Sequence, residues 1–236
     1  MKSRFQIAKL LQEHWGLLNW KGDDHTNGIY FNQQYGYMVE RTYAIRMEHN
    51  EPVPSVFYVP SDVSETEEDE VLVSYPFEKM VKKPNKFQLL FKDSVLPEET
   101  LDELFVMDEA EVELPIQPLL SLLGTISKKR DRDRSWLVIE LKGGEAKATL
   151  LYKNSQKEIT LTGIMSEERM NNVVYIVNAN NMFHTLNLFS FSETLFFMTT
   201  RDKIKINTGK SKPKMESIIS CPKETIQKEI LRFRKE

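Results

Sequence analysis

The residues that most often carry out catalysis are few in this sequence and lie far apart. Its 236 residues include four histidines and a single cysteine, Cys221. His14 falls on the apolar stripe of a helical pattern, whereas His25 and His49 fall in predicted loops. A cysteine nucleophile is activated by a nearby base, and a zinc site usually needs four nitrogen or sulfur ligands at short spacing. The distribution therefore favours neither a thiol enzyme nor a metal centre.

Carboxylates and glycines also lack the patterns of an active site. The stretch 61–70 (SDVSETEEDE) reads as an acidic loop surrounded by water, whereas acid–base catalysis needs carboxyl groups in a cleft. Gly143 and Gly144 predict a hairpin turn, because a phosphate-binding loop needs a following Lys-Ser/Thr at a helix start. We expect no enzyme activity and no cofactor. An enzyme of unrelated α+β fold is the least supported class.

Lysines on predicted helices offer a different chemistry, the contact of cations with phosphate groups. Lys79, Lys82 and Lys83 have i, i+3, i+4 spacing, which places them on one face of a helix over 75–83. The opposite face is apolar. Long cationic side chains on such a face can contact a polyanion loosely, without a deep pocket.

The elements of the first half can be predicted from the spacing of its apolar residues. Three- and four-residue spacing predicts an opening helix over 5–18 and the short helix over 75–83. Strands are predicted over 29–32, 37–47, 56–59, 87–91 and 101–107, with a reversal near 34–36.

The second half predicts the same kind of elements again. A helix is expected over 116–127, then a charged loop over 128–134, and later a helix headed by Asn178 as N-cap. A terminal helix over 223–234 carries Ile226 and Ile230 on one side. Strands are predicted over 136–141, 146–152, 158–162, 173–177, 194–198, 203–207 and 215–220, of which 203–207 alternates in polarity and should be half exposed.

The two halves therefore predict an α+β fold made of two repeated domains. Each domain should pack two short helices on an antiparallel sheet. The domains are assigned to residues 1–113 and 114–236, and each is long enough to bury its own core.

Charge is unevenly distributed, although the net charge is only −3. Residues 48–113 hold 18 acidic and 5 basic side chains, whereas residues 200–236 hold 5 acidic and 11 basic ones. This favours a segregated basic surface over a chain that coats nucleic acid with its whole exterior. The absence of a long apolar run and the single cysteine predict a cytoplasmic protein with no membrane partner.

The second half resembles the DNA sliding clamps, the processivity factors of replicative polymerases. The stretch VVYIVNANNMFHTLNLFSFSETLFFMTT and the later KMESIISCP look like the closing part of a bacterial β clamp. Asn178, Met182, Leu186 and Pro222 are the matching positions, and Cys221 replaces a methionine. In the first half, VSYPFEKMVKK looks like a degenerate copy of the same helix. Two-domain clamps close as rings of three chains, so the resemblance implies a homotrimer.

The resemblance implies that the helices face double-stranded DNA. It also implies a DNA polymerase and a clamp loader as partners. The DNA-facing positions would be Lys9, Gln12, Lys79, Lys82, Lys83, Lys128, Asn181 and His184, with Asn180 and Asn187 on the same outward face.

The resemblance also implies an apolar pocket for short partner peptides near the domain junction and the end of the clamp core. The positions that match are Leu114, Pro115, Ile218, Ile219, Cys221 and Pro222. Taken singly, each of them is better explained by packing in the core and linker. The terminal helix extends past the usual end of the family, where it either covers the pocket or binds a partner through Ile226 and Ile230.

Two functions follow from these observations. The first is a processivity clamp that encircles duplex DNA. The alternative is a phage or mobile-element protein that keeps the clamp fold and binds replication proteins as an adaptor or inhibitor without encircling DNA. The few cations on the second-half helices favour the alternative.

Overall fold

The computed structural model describes the two halves of the chain to different extents. Described residues are 7, 10–11, 28–31, 34–40, 43–49, 57–59, 103–106, 111–142, 144–153, 155–162, 164–165, 173–199, 203–209 and 214–233. The chain divides into two compact units, Met1–Val106 with Lys210–Ser217, and Met107–Gly209 with Ile218–Glu236. The sequence-based boundary between residues 113 and 114 stays a prediction.

The first unit holds an antiparallel sheet. Its strands are β1 (Gly28–Phe31), β2 (Tyr35–Glu40), β3 (Tyr43–Glu48) and β4 (Phe57–Val59), in the order β4-β1-β2-β3. Residues 7, 10 and 11 are helical, and Ile7 and Leu11 are fully buried, as the stripe of the predicted opening helix requires. The predicted elements over 61–70, 75–83 and 87–91 lie outside the described residues.

Two predictions for the first unit are wrong. The single strand expected over 37–47 is two strands, because β2 and β3 pair antiparallel and Glu40 lies opposite Tyr43. The sequence there has no glycine, proline or asparagine to mark the reversal. The strand expected over 101–107 is also absent, since Glu103 and Leu104 are helical and Phe105 lies in a turn.

An ion pair with aromatic neighbours lies in the core of the first unit. The guanidinium carbon of Arg46 lies 4.5 Å from the ring centre of Tyr35 and 4.6 Å from that of Phe105. Its Nε donates to the carboxylate of Glu216, which is almost fully buried. Burial of both charges together avoids the high free energy of a lone buried ion.

The second unit contains the better described part of the chain. Its helices are α1 (Ile116–Gly124), α2 (Lys129–Arg132), α3 (Ala179–Leu188) and α4 (Glu224–Phe233). Its strands are β5 (Glu111–Pro115), β6 (Trp136–Lys142), β7 (Glu145–Tyr152), β8 (Ser155–Leu161), β9 (Ile164–Met165), β10 (Val173–Asn178), β11 (Thr194–Thr199), β12 (Lys203–Asn207) and β13 (Met215–Ser220). The last of these is divided, since Met215–Ser217 group with the first unit.

The strands of the second unit form two antiparallel sheets. One contains β12-β11-β5-β9 in that order, with β13 beside β12, and the other, here called the outer sheet, contains β10-β6-β7-β8. Leu137, Ile139 and Leu141 alternate along β6 and are buried, and they face the side on which α1 and α3 contact the sheet. The α+β class and the antiparallel sheets are confirmed.

Most element predictions for the second unit hold, with local differences. The helix from Ile116 ends at Gly124 rather than at residue 127, and the loop expected over 128–134 contains α2. The β6–β7 hairpin turns at Gly144, whose φ is 86°. The strand expected over 158–162 starts at Ser155.

The expected half-exposure of β12 is wrong. Lys205 and Asn207 are only 8% and 9% exposed. They lie opposite Met198 and Phe196 of β11, and the Asn207 side chain accepts a hydrogen bond from the N–H of Gly209 at 2.8 Å.

None of the described helices is long and apolar enough to span a lipid bilayer.

Candidate nucleic-acid interface

Helices α1 and α3 form a pair that packs against the outer sheet. The apolar face of α1 buries Ile116, Leu119, Leu122 and Leu123. The matching face of α3 buries Ala179, Met182 and Leu186, and the two helices also contact each other. The sheet therefore fixes both helices and determines which side chains reach solvent.

The solvent side of α1 carries no charge. Gln117, Ser121 and Thr125 are exposed there, and neither α1 nor α3 contains Asp, Glu, Lys or Arg. This surface can donate and accept hydrogen bonds but offers phosphates little electrostatic attraction.

Asn178 fixes the start of α3, as the sequence predicts. Its Oδ1 accepts hydrogen bonds from the backbone N–H groups of Asn180 at 2.9 Å and Asn181 at 3.1 Å. Its Nδ2 donates to the carbonyl oxygen of Asp133 at 2.9 Å. The same side chain therefore caps the helix and ties it to the segment that follows α2.

Two residues of α3 differ from the outward orientation expected for them. Asn180 is 0% exposed and His184 is 6% exposed, whereas Asn181 is half-buried and Asn187 is exposed. Sequence periodicity placed them opposite the apolar stripe, where solvent was expected. The structure places the buried Arg132 of α2 on that side of α3 instead.

Arg132 contacts both helices of the pair. Its Nη1 donates to the carbonyl oxygen of Ile126 at 2.7 Å, just past the end of α1, and its Nε lies 3.5 Å from Oδ1 of Asn180. Its guanidinium carbon lies 4.1 Å from the ring centre of Phe183. The sequence signal for this role is weak, because Arg132 lies in a charged run (KKRDRDR) that is typical of a solvated loop.

The electrostatics of this cluster keep His184 neutral. Burial, together with the charges of Arg132 and Lys129, lowers the pKa of His184 to about 4. Burial also lowers the pKa of Arg132, although Asp133 opposes that change. At neutral pH His184 therefore supplies no positive charge to a phosphate.

The available cations of this region lie at α2. Lys128, Arg130 and Arg134 are exposed. Asp131 is engaged by Lys153, with 3.9 Å between Nζ and Oδ1. Of the candidate positions, Lys128 is thus an exposed cation and Asn181 a half-buried amide, while Lys9, Gln12, Lys79, Lys82 and Lys83 lie outside the described residues.

The candidate peptide-pocket residues lie in β5, in β13 and directly after the end of β13. Leu114, Ile218 and Ile219 are buried, whereas Pro115, Cys221 and Pro222 are half-buried. β11 and β12 lie between β5, which carries Leu114, and β13, which carries Ile219. Three strand spacings correspond to roughly 14 Å, so these two side chains are not neighbours within the sheet.

Comparisons with known proteins find similarity in structure but none in sequence. No protein-family model and no curated sequence matches the chain. A DnaN sliding clamp from Bartonella birtlesii bound to griselimycin matches with a TM-score of 0.61 and 12% identity, over 92% of this chain and 64% of that one. The chain has the fold of the DNA sliding clamps.

Two further sliding clamps give the same result. A DNA polymerase sliding clamp from Pseudomonas aeruginosa matches with a TM-score of 0.62 and 9% identity, over 94% of this chain and 66% of that one. The beta subunit from DNA polymerase of Streptococcus pyogenes matches with a TM-score of 0.58 and 10% identity, over 92% of this chain and 64% of that one. This chain spans less than two thirds of the length of these clamps. The sliding-clamp fold accounts for its antiparallel sheets and paired helices.

Proposed function

We propose that the chain is a processivity factor that encircles duplex DNA and tethers a replicative polymerase. It would act without covalent chemistry, in the cytoplasm, and be placed on DNA by a clamp loader. The observation that carries the proposal is the clamp fold over more than nine tenths of the chain. The proteins that share this fold are described as DNA polymerase clamps or beta subunits, which supports the same role for this chain.

The helix pair suits contact with DNA that must move. A clamp has to hold the duplex without fixing its position, which favours exchangeable contacts over fixed ion pairs. The exposed amide and hydroxyl groups of Gln117, Ser121 and Asn187 can exchange between phosphates and water at little free-energy difference. Lys128 and Arg130 would supply the attraction, together with the predicted DNA-facing cations Lys9, Lys79, Lys82 and Lys83.

The proposed ring is a homotrimer joined through sheet edges. β8 is an outermost strand of the outer sheet, and its residues 155–158 and 160 are exposed. An edge strand of this kind can pair with a strand of a second copy. The polymerase would bind at a peptide pocket near the end of β13, with the half-buried Cys221 and Pro222 among its residues.

Solution mass and DNA retention test this function. Light scattering coupled to size exclusion should give three times the 27.6 kDa of one chain. After loading by a clamp loader, the protein should stay on nicked circular DNA and be lost when the circle is cut. A monomer at micromolar concentration, or equal retention on circular and cut DNA, would contradict the encircling ring.

One observation favours a second function, that of a clamp-fold adaptor or inhibitor. The helix pair contains no charged residue, and His184 and Asn180 are buried. A phage or mobile-element protein that binds replication proteins would not need a cationic helix face. Capture of a host replication protein by a monomer that is never retained on circular DNA would support this role.

A further inference from the structure

The terminal helix α4 covers part of the outer sheet on the face away from α1 and α3. Ile230 is 6% exposed and packs with Val138 of β6 and Ile176 of β10. These two residues lie directly opposite each other in the antiparallel register. The half-buried side chains Trp136, Leu151 and Leu231 border the contact.

This face is the reverse of the one that forms the helix-packed core. Successive residues of a strand point to opposite sides, so Val138 points away from its buried neighbours Leu137 and Ile139. The outer sheet therefore has two apolar faces. Helices α1 and α3 cover the first, and α4 covers part of the second.

The cover that α4 provides is narrow. Ile230 is its one buried residue among the side chains described. Ile226 lies one turn earlier on the same stripe and is 38% exposed. On the sheet, Val174 shares the face of Ile176 and is 42% exposed. Apolar surface on both partners thus extends beyond the area of contact.

Two polar contacts of α4 lie within its own segment. Nε2 of Gln227 donates to the carbonyl oxygen of Pro222 at 2.7 Å, and Lys228 and Glu224 form an i, i+4 ion pair at 3.0 Å. These contacts persist when the helix leaves the sheet. Detachment of the helix from the sheet would therefore have to separate the Ile230 cluster.

We propose that this face of the outer sheet is a docking surface for a helical segment of a partner protein, and that α4 is an internal occupant which the partner displaces. The chemistry of the partner follows from α4 itself, which the surface already accepts. It is an amphipathic helix with aliphatic residues four positions apart, like Ile226 and Ile230, and charged residues on the other side. Neither DNA encirclement nor the predicted peptide pocket is needed for this inference.

A labelled peptide tests the surface in the intact chain. The probe is a fluorescent synthetic peptide with the sequence of residues 223–236, titrated against full-length protein. Its affinity should be at least tenfold higher for the Ile230→Asp variant than for the unchanged protein, because the variant leaves the surface vacant. A peptide that carries the same substitution should not bind. The matched variant Thr225→Asp, altered at an exposed position of the same helix away from the Ile226–Ile230 stripe, should behave as the unchanged protein.

Several outcomes would overturn the proposal. One is an Ile230→Asp variant with unchanged circular dichroism that binds the peptide no better than the unchanged protein. Another is a rise of mass with concentration that Ile230→Asp abolishes, which would make α4 of a second copy the occupant.

Hydrogen exchange on the unchanged protein keeps the proposal testable if Ile230→Asp does not fold. Amides of α4 should exchange at least 100-fold faster than those of β6. Equal protection of the two elements would show that α4 is an integral part of the core and would also overturn the proposal.

Discussion

Arg132 connects three elements of the second unit through one side chain. Its guanidinium binds the carbonyl oxygen of Ile126, stacks on Phe183 and reaches Asn180. A cation that is nearly buried is tolerated because carbonyl oxygens and an aromatic face replace water. The same contacts hold the end of α1 against α3, so the residue fixes the spacing of the helix pair.

Replacement of Arg132 should destabilise the unit. Arg132→Met keeps much of the volume but leaves the carbonyl of Ile126 without this donor, and we expect a loss of about 2–4 kcal/mol in the free energy of unfolding. Arg134→Met is the matched control, since Arg134 is exposed and should change stability by about 0.5 kcal/mol or less. Denaturant unfolding measures both, and similar losses for the two variants would contradict this role.

His184 should make stability depend on acidity. Its pKa is about 4 in the folded protein and near 6.5 when unfolded, so the folded state binds the proton less readily. Its contribution is fully present above pH 6.5 and is lost as the pH falls from 6.5 to 4. The total is on the order of 3 kcal/mol. His184→Gln should reduce the stability difference between pH 7 and pH 4, and an unchanged difference in urea melts would contradict the assignment.

Residue-scale burial could be predicted from the sequence only in part. Asn178 was recognisable as an N-cap because its signal is local, a polar residue before an apolar helical stripe. The burial of Arg132 and His184 was not recognisable, because it depends on α2 packing against α3 across about 50 residues of sequence. Periodicity reports which side of a helix is apolar and not what packs on its polar side.

The N-cap of α3 is an element-scale feature with a measurable effect. Asn178→Ala removes the acceptor for two backbone N–H groups and the donor to Asp133, and should lower stability by about 1–2 kcal/mol. Asn187→Ala is the control, since that exposed amide only donates to the carbonyl of Phe183 within α3. Thermal melts should show a loss for the first variant and almost none for the second.

Two glycines should respond oppositely to alanine. Gly209 has a φ of 58°, and a Cβ there would lie 2.3 Å from Cε2 of Phe196, so Gly209→Ala should destabilise by about 1–3 kcal/mol. Gly124 ends α1, and a Cβ added there would meet open space, so Gly124→Ala should be neutral or add up to about 1 kcal/mol. Chemical denaturation of both variants tests the pair, and a destabilised Gly124→Ala would contradict the assigned geometry.

Element prediction succeeded where the sequence marks its turns. Gly144 marks the β6–β7 hairpin, which was predicted, whereas no turn residue marks the reversal between Glu40 and Tyr43, which was missed. The polarity pattern of β12 gave its bounds but not its burial, because strand neighbours cover Lys205 and Asn207. The order of strands in the sheets depends on long-range pairing that local pattern does not encode.

At the scale of the whole molecule, the salt dependence of DNA affinity can distinguish cations that contact phosphates from cations that do not. If Lys128 contacts one phosphate, Lys128→Gln should reduce the slope of log affinity against log salt by about 1. Lys142→Gln is the control, since Lys142 is exposed at the far end of β6 beside the hairpin. Fluorescence anisotropy on linear duplex between low and moderate salt measures both slopes, and equal slopes would argue against a DNA contact at Lys128.

Among the described strands β8 lies at the edge of the outer sheet, and this position has a consequence for behaviour at high concentration. A bare strand edge is a template on which unrelated extended chains can accumulate as aggregates. β8 carries exposed Lys157 and Glu158, and Glu158 is held by Lys147 of β7 at 2.5 Å. An incoming strand must match these charges before it can pair, so the edge discriminates between a correct copy and arbitrary sequence. If the chain forms the proposed ring, opening of that ring would expose these edges in a crowded cell, and the charges would favour reclosure on a matching copy.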